Sequence, residues 1–262
     1  MNLANVIVGT SGYSFPDWIG PFYPEGTPKG KMLDYYKDHF RAVEINSTYY
    51  RIPHAAVFYN MAKKVPSDFE FIIKTHRFFT HERKDLKENA KALNEAIKPL
   101  KDSGTFHGLL AQFPWSFRFS PSNLQYVINS RDIFGDVPLF MEFRNVGWDR
   151  PEVYVSLSNN DIGFCCVDEP GLEGLFPPKA LATTSVGYVR FHGRNSIDWW
   201  HPRKGSDRYN YSYKKEELAD WLKKIEQLRK DTEKVYLFFN NCHHGQAVKN
   251  AKMMMEMLQL RL

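Results

Sequence analysis

Short apolar runs alternate with longer polar, helix-like stretches from one end of the chain to the other. Apolar runs of this kind, bounded by turn residues, indicate buried strands, whereas apolar spacings of three and four residues indicate amphipathic helices. Eight strands are predicted at residues 6–9, 42–46, 69–75, 108–113, 139–143, 163–167, 187–191 and 234–239. Helices are predicted at residues 32–39, 55–64, 86–100, 122–134, 151–159, 214–230 and 246–260.

The alternation of strand and helix predicts an α/β class with a parallel sheet. Eight units favour closure into a (β/α)8 TIM-like barrel, although a doubly wound open sheet shares the same periodicity. The sixth unit is the irregular one, because residues 169–185 contain Pro170, Pro177 and Pro178 in place of a helical pattern. The length of 262 residues fits a single barrel domain spanning residues 1–262.

Composition narrows the class of protein without naming a function. Hydrophobic residues make up 43% and charged residues 25%, which is typical of globular domains and not of disordered, collagen-like or coiled-coil chains. A net charge of +5 permits an anionic partner. No apolar run is long enough to span a bilayer and the first residues lack a signal core, so no membrane partner and a cytoplasmic location are expected. Cys165, Cys166 and Cys242 match neither a disulfide framework nor a zinc spacing.

Polar residues recur where the predicted strands end. In a barrel the outward face of each strand packs beneath helices, and inward residues near the carboxyl ends open onto the catalytic face. Applying this rule along the chain selects Glu44, Asn46, Lys74, His76, Gln112, Glu142, Arg144, Asp168, Arg190, His192, Arg194, Asn240 and Asn241. Buried charges must pair with one another or with a ligand. The charged members therefore form either a site at the barrel mouth, which their position at the strand ends favours, or a self-satisfied ion network that plugs the barrel.

Two loops are longer than usual for a βα connection and are rich in aromatic residues, at residues 10–30 and 194–213. The second combines Trp199 and Trp200 with Arg203, Lys204 and Arg208. Aromatic faces suit stacking on a base or a sugar ring, and the cations suit phosphate. The alternative is a lid whose aromatic residues are buried on the barrel rim.

Several motifs in this order resemble the YecE-like family, a group of TIM-barrel proteins without a settled biochemical function. The resemblance covers essentially the whole chain and rests on residues 9–13 (GTSGY), 43–53 (VEINSTYYRIP), 71–74 followed by Thr80-His81, 112–114 (QFP), 141–144 (MEFR) with Trp148, 188–194 (YVRFHGR) and 239–242 (FNNC). It implies a TIM-barrel fold with the shared residues at the inward positions. It implies no particular reaction.

The leading hypothesis is an enzyme, a hydrolase or lyase, that acts on a small phosphate-bearing or otherwise anionic substrate, with nucleic acid as one version of that substrate. Arg144, Arg190, Arg194 and Lys74 would hold the anion, because guanidinium groups match phosphate geometry. Proton transfer would fall to Glu44, Glu142 or His192. The remaining predicted substrate-binding residues are Asn46, His76, Gln112, Asp168, Trp199, Trp200, Asn240 and Asn241.

Other functions remain open. Glycoside cleavage would use Glu44 and Glu142 as a carboxylate pair, although strands two and five lie on well-separated parts of a barrel. Metal-assisted hydrolysis would use a divalent metal held by side chains drawn from Glu44, His76, Glu142, Asp168, His192 and His243, but the chain lacks a tight metal-binding pair, so no cofactor is firmly implied. Lys74 has an alternative role as a Schiff-base nucleophile. The non-catalytic alternative is a protein that binds nucleotides or single-stranded nucleic acid.

Overall fold

The structure is a computed structural model that describes residues 5–260. Within that range, eight parallel strands close into one barrel in sequence order, with the last strand pairing back onto the first. The strands are β1 (Asn5–Ser11), β2 (Ala42–Ile45), β3 (Glu70–Lys74), β4 (Phe106–Gln112), β5 (Leu139–Glu142), β6 (Gly163–Asp168), β7 (Val186–Phe191) and β8 (Lys234–Phe239). The predicted TIM-like barrel is confirmed.

Helices surround the barrel close to the predicted positions. They are α1 (Met32–Tyr36), α2 (Ala55–Ala62), α3 (Leu86–Asp102), α4 (Pro121–Ile128), α5 (Ser130–Phe134), α6 (Pro151–Asn159), α7 (Lys215–Asp231) and α8 (Gln246–Met257). The helix predicted at 122–134 is divided at Asn129 into α4 and α5. Residues 169–185 connect β6 to β7 without a helix, as their prolines predicted.

The barrel interior holds a small apolar cluster that is separate from the larger core between the strands and the helices. It consists of Ile7, Ala42, Ile72, Leu110, Phe140, Cys165, Tyr188, Tyr236 and Phe238. Large side chains need small neighbours here. A Cβ atom added to Gly163 would lie 2.4 Å from the Phe140 ring, so glycine at this position makes room for that ring. The polar side chains at the strand ends therefore lie above a packed apolar layer and not above an open pore.

Strand register decides which side chains enter the barrel. Ser11 pairs with Glu44, Gln112 with Glu142, and both pairs lie one pleat above the apolar cluster. Among residues 5–260, no helix is long and apolar enough to cross a membrane.

Candidate active site

A cavity of 810 Å³ opens above the carboxyl ends of the strands, where barrel enzymes carry their active sites. Its floor is formed by side chains at the strand ends, which are Ser11, Asn46, Lys74, Gln112, Arg144 and Asn240. Its walls come from loops, including Tyr49, Tyr50, His81, Trp115, Trp199, Trp200, Lys204, Arg208, Tyr209, His243 and His244. The predicted floor residues Asn46, Lys74, Gln112, Arg144 and Asn240 thus share one cavity.

Beneath this floor lies an ion network centred on Arg190. Its Nη2 donates to Glu44 Oε1 and its Nη1 donates to Glu142 Oε2, each at 2.6 Å. Arg190 is 1% exposed and both carboxylates are fully buried. Tyr188 completes the network by donating from its hydroxyl to Glu44 Oε2 at 2.7 Å. The two carboxylates neutralise Arg190, although its Nε has no hydrogen-bond partner among residues 5–260. These groups therefore form the self-paired ion network that was the alternative to an anion clamp.

Arg144 links this network to the cavity. Its Nε donates to Glu142 Oε1 at 2.5 Å and its Nη1 donates to Glu169 Oε2 at 2.7 Å. Burial by itself would raise the pKa of Glu142, but the charges of Arg144 and Arg190 outweigh burial and hold that pKa well below its ordinary value. Glu142 is therefore a fixed anion that holds two arginines, and its burial leaves it no contact with a substrate in the cavity.

His192 is fully buried next to Arg144. Its Nδ1 lies 3.0 Å from Asn240 Nδ2 and 3.3 Å from Arg144 Nη2. Both of those groups are donors, so Nδ1 is an acceptor and the ring proton resides on Nε2, which lies 3.1 Å from Glu142 Oε1. Burial and the charge of Arg144 lower the pKa of His192 well below its ordinary value. The ring is thus neutral, and its contacts orient Asn240 at the cavity floor.

Lys74 lies on the cavity floor between an amide group and an aromatic ring. Its Nζ donates to Gln112 Oε1 at 2.9 Å and lies 4.8 Å from the centre of the Tyr49 ring. No carboxylate of residues 5–260 lies within ion-pair distance of this ammonium group. Burial and then the charge of Arg190 lower the pKa of Lys74 to about 7, although Glu142 and Glu44 oppose this shift.

We expect stability to depend on pH through Lys74. The groups that face it are Glu44, Glu142, Arg144, Arg190 and His81. Between pH 7 and the ordinary lysine pKa of 10.5, the unfolded chain binds more protons at Lys74 than the folded chain, so the stability of the wild type rises with pH in this window. Relative to Lys74→Met, the wild type should gain about 2 kcal/mol between pH 7 and pH 9. Urea unfolding of both proteins measures this, and a difference that does not change with pH would contradict the lowered pKa.

Asp168 and Arg194 do not enter the cavity, which corrects their predicted placement at the barrel mouth. On β6 it is Cys165 that joins the interior cluster, so Asp168 has the opposite parity and faces the helices. It accepts hydrogen bonds from Tyr213 Oη and from Trp221 Nε1 on α7, each at 2.6 Å. Arg194 donates to both carboxylate oxygens of Asp168, at 2.9 and 2.7 Å. These residues tie the loop after β7 to the outer helices.

Two further predicted site residues lie outside the cavity lining. Asn241 is fully buried and donates to Tyr211 O and to Asn250 Oδ1, each at 2.8 Å. Since Asn240 already occupies the inward position on β8, strand alternation turns Asn241 towards α8. His76 follows the end of β3 and accepts a 3.4 Å hydrogen bond from the backbone of Phe78, on whose ring it packs. Both residues serve the local structure.

The loop at residues 194–213 contributes Trp199, Trp200, Lys204, Arg208 and Tyr209 to the cavity lining. Trp199 is 3% exposed, and its ring lies 5.7 Å from the guanidinium carbon of Arg144, so it packs as a lid residue. Trp200 is 41% exposed and packs edge-on against Trp115 at 5.2 Å. One tryptophan therefore belongs to the lid while the other keeps an accessible face.

Sequence reasoning did not select several residues that line the cavity. Tyr49, His81, Trp115 and His244 come from loops and short turns, where strand alternation makes no prediction. His81 is part of the Thr80-His81 motif of the family resemblance. The direction of its side chain, however, depends on a π-helical turn at Phe78–Glu82, which strand alternation does not predict. Within residues 5–260, no three His, Cys, Asp or Glu side chains are arranged to hold a metal ion.

The family is shown by comparison with known proteins. A family model described as a protein of unknown function, DUF72, matches residues 7–262. The chain belongs to the DUF72 family. The UPF0759 protein YunF of Bacillus subtilis is 32% identical to this chain over 272 residues, covering 97% of this chain and 95% of YunF.

Solved structures with DUF72 descriptions share the fold. A crystal structure of a DUF72 family protein from Thermotoga maritima MSB8 has a TM-score of 0.90 and 42% identity, covering 97% of this chain and 99% of that one. One from Enterococcus faecalis V583 has a TM-score of 0.87 and 26% identity, covering 98% and 96%. The DUF72 description names no activity, and the narrower YecE-like family name stays a prediction.

Proposed function

We propose that this DUF72 protein is an enzyme that binds a small phosphate-bearing or similarly anionic substrate in the cavity above the barrel. The observation that carries this proposal is the contrast between two sets of cations. Arg144, Arg190 and Arg194 are each paired with a carboxylate. Lys74, Lys204 and Arg208 line the cavity, and none of them forms an ion pair with any carboxylate in residues 5–260.

Unused polar atoms in the cavity support the same assignment. Arg208 Nε and Asn46 Oδ1 are buried without a hydrogen-bond partner among residues 5–260. A buried polar group without a partner costs about 1–3 kcal/mol, so a ligand that pairs with it recovers that energy. An anion close to Arg208 and Lys204 would pair with two cations that have no ion-pair partner among residues 5–260, although Asp17 and Asp207 also line the cavity. Asn46 would bind a donor group of the substrate.

Aromatic rings also line both the floor and the wall of the cavity. Tyr49 lies next to Lys74 on the floor side, while Trp200 and Trp115 stand at the wall. Aromatic faces beside cations suit a molecule with an apolar ring or chain on one side and phosphate on the other. A cavity of 810 Å³ is within the usual range for small-molecule sites and is too large to be filled by phosphate alone.

The proposal predicts binding that depends on the phosphate group. Ribose 5-phosphate and AMP should raise the melting temperature, by about 5–10 °C at one hundred times the Kd, whereas ribose and adenosine should not. Arg208→Ala should weaken this binding about 10- to 100-fold, because it removes a charge-assisted hydrogen bond in a sheltered site. Calorimetric titration at constant ionic strength measures the Kd.

Arg203→Ala is the matched control, since Arg203 belongs to the same loop but is exposed and does not line the cavity. It should leave the Kd within about twofold of the wild type. Equal increases in the Kd for the two substitutions would indicate a general effect of charge. Arg208 would then not be a binding residue of this site. Equal melting shifts for phosphorylated and unphosphorylated compounds would contradict the anion proposal itself.

A second candidate, a binding protein for nucleotides or single-stranded nucleic acid, is favoured by the exposed aromatic residues at the cavity rim. Tyr50 is 73% and Trp200 is 41% exposed, and both line the cavity. Stacking contributes about 1–3 kcal/mol for each base, and such binding weakens steeply with salt. A short oligonucleotide that binds more tightly than AMP and loses that advantage in Trp200→Ala would favour this candidate.

A further inference from the structure

Lys74 is a primary amine on the cavity floor without an ion-pair partner among residues 5–260. Gln112 Oε1 accepts one of its protons at 2.9 Å, and the face of Tyr49 lies 4.8 Å from Nζ. The nearby cation Arg190 is held beneath the floor by Glu44 and Glu142. The amine is thus oriented by an amide and packed against an aromatic face, and its free positions open onto the cavity.

We propose that Lys74 forms an imine with an aldehyde or ketone substrate that also carries the anionic group. This inference rests on the proposed function, because the anion bound by Arg208 and Lys204 would bring the carbonyl carbon to the floor. An amine is a nucleophile only in its neutral form. A sheltered lysine close to a fixed guanidinium group, and not neutralised by a carboxylate, is the arrangement that favours that form.

The chemistry is balanced without any additional reactant. Lys74 Nζ donates its lone pair to the carbonyl carbon, the carbon–oxygen π bond breaks, and one amine proton moves to the oxygen to give a carbinolamine. The second amine proton then leaves with the hydroxyl group as water, and a carbon–nitrogen double bond remains. Hydrolysis reverses both steps. The lowered pKa of Lys74, about 7, agrees with this role because much of the amine is then neutral near neutral pH.

The neighbouring groups have defined parts in this arrangement. Gln112 Oε1 accepts one hydrogen bond from Lys74 Nζ. The lone pair of the neutral Nζ then stays free to attack the carbonyl carbon of the substrate. The amide of Gln112 is itself fixed, since its Nε2 donates to Phe113 O at 2.7 Å. Asn240, held by His192, lies on the same floor and can donate to the oxygen that develops charge.

Reductive trapping tests the inference. The full-length protein is mixed at pH 7 with glyceraldehyde 3-phosphate and sodium cyanoborohydride, and the modified lysines are found by peptide mass spectrometry. Lys74 should be labelled at least about 10-fold faster than Lys98, because the exposed Lys98 side chain forms an ion pair with Asp102 whereas Lys74 is sheltered beside a guanidinium group without a carboxylate partner. Lys74→Arg should lose this label while Lys98 is labelled as before. Peptide mapping of the wild type gives the result even if the variant folds poorly.

The outcomes separate this inference from the proposed function. Labelling of Lys74 no faster than that of Lys98, in a protein whose melting temperature rises with ribose 5-phosphate, would overturn the imine and leave the anion site intact. Equally fast labelling of Lys74 by glyceraldehyde and by its phosphate would support the nucleophile and contradict the anion site. Faster labelling by the phosphate, reduced in Arg208→Ala but not in Arg203→Ala, would support both.

Discussion

Arg190→Met is expected to destabilise the protein by about 3–5 kcal/mol, because removing one partner of a buried ion pair leaves the other charge uncompensated. Here two carboxylates, Glu44 and Glu142, each lose a 2.6 Å contact in a fully buried position. Such a loss is a large fraction of the stability of an ordinary domain. Guanidinium unfolding measured by tryptophan fluorescence gives the free energy of unfolding.

Lys98→Met provides the control. The Lys98–Asp102 pair has the same 2.6 Å separation but lies on the surface of α3, with side chains 69% and 60% exposed. Its removal should cost less than about 0.5 kcal/mol. The triple variant Glu44→Gln, Glu142→Gln and Arg190→Met should lose less stability than the sum of the three single losses, because the charge of Arg190 and those of its two partners are removed together while Arg144 keeps Glu169. A cost below about 1 kcal/mol for Arg190→Met would show that Arg190 is available to a ligand after all.

How much of the site was predictable depends on the strand. On β2, β3 and β5 the outward residues are apolar and the last inward residue of each strand is polar, so alternation indicated that Glu44, Lys74 and Glu142 face the barrel interior. On β6 both faces are apolar, because Cys165 faces the interior while Cys166 faces the helices. Because neither face of β6 carries a polar residue before Asp168, the sequence pattern does not predict whether Asp168 faces the barrel interior or the helices.

The pairing of the cations could not be predicted from strand pattern. Glu169, which binds Arg144, lies in the irregular connection after β6, and its position depends on a hydrogen bond from the backbone of Phe176 at 3.1 Å. Arg208 points into the cavity because of the path of a long loop. Charge pairing across such segments is a tertiary property, so the sequence predicted a cationic mouth but not which cations stay available.

Asp168→Ala should cost stability of about 3–5 kcal/mol without changing ligand affinity. Asp168 accepts from Arg194, Tyr213 and Trp221, and its side chain is 1% exposed. Truncation to alanine leaves the Trp221 indole N–H buried without its acceptor, and it leaves the Tyr213 hydroxyl only the longer 3.4 Å contact with the backbone carbonyl of Asp168. Because Asp168 faces α7 and not the cavity, the phosphate compounds should bind the folded variant as they bind the wild type.

Asp168→Asn is a milder change than Asp168→Ala. The amide oxygen of asparagine still accepts hydrogen bonds, while its NH2 group lies next to a donor that it cannot pair with. Its loss of stability should therefore fall between those of the wild type and the alanine variant. The free energy of unfolding and the Kd for ribose 5-phosphate are measured for all three proteins at a temperature where each is folded. If Asp168→Ala weakens the ligand as much as Arg208→Ala does while stability stays unchanged, then Asp168 acts on the substrate. The division between a structural ion network on the helix side and an available cation set in the cavity would then be wrong.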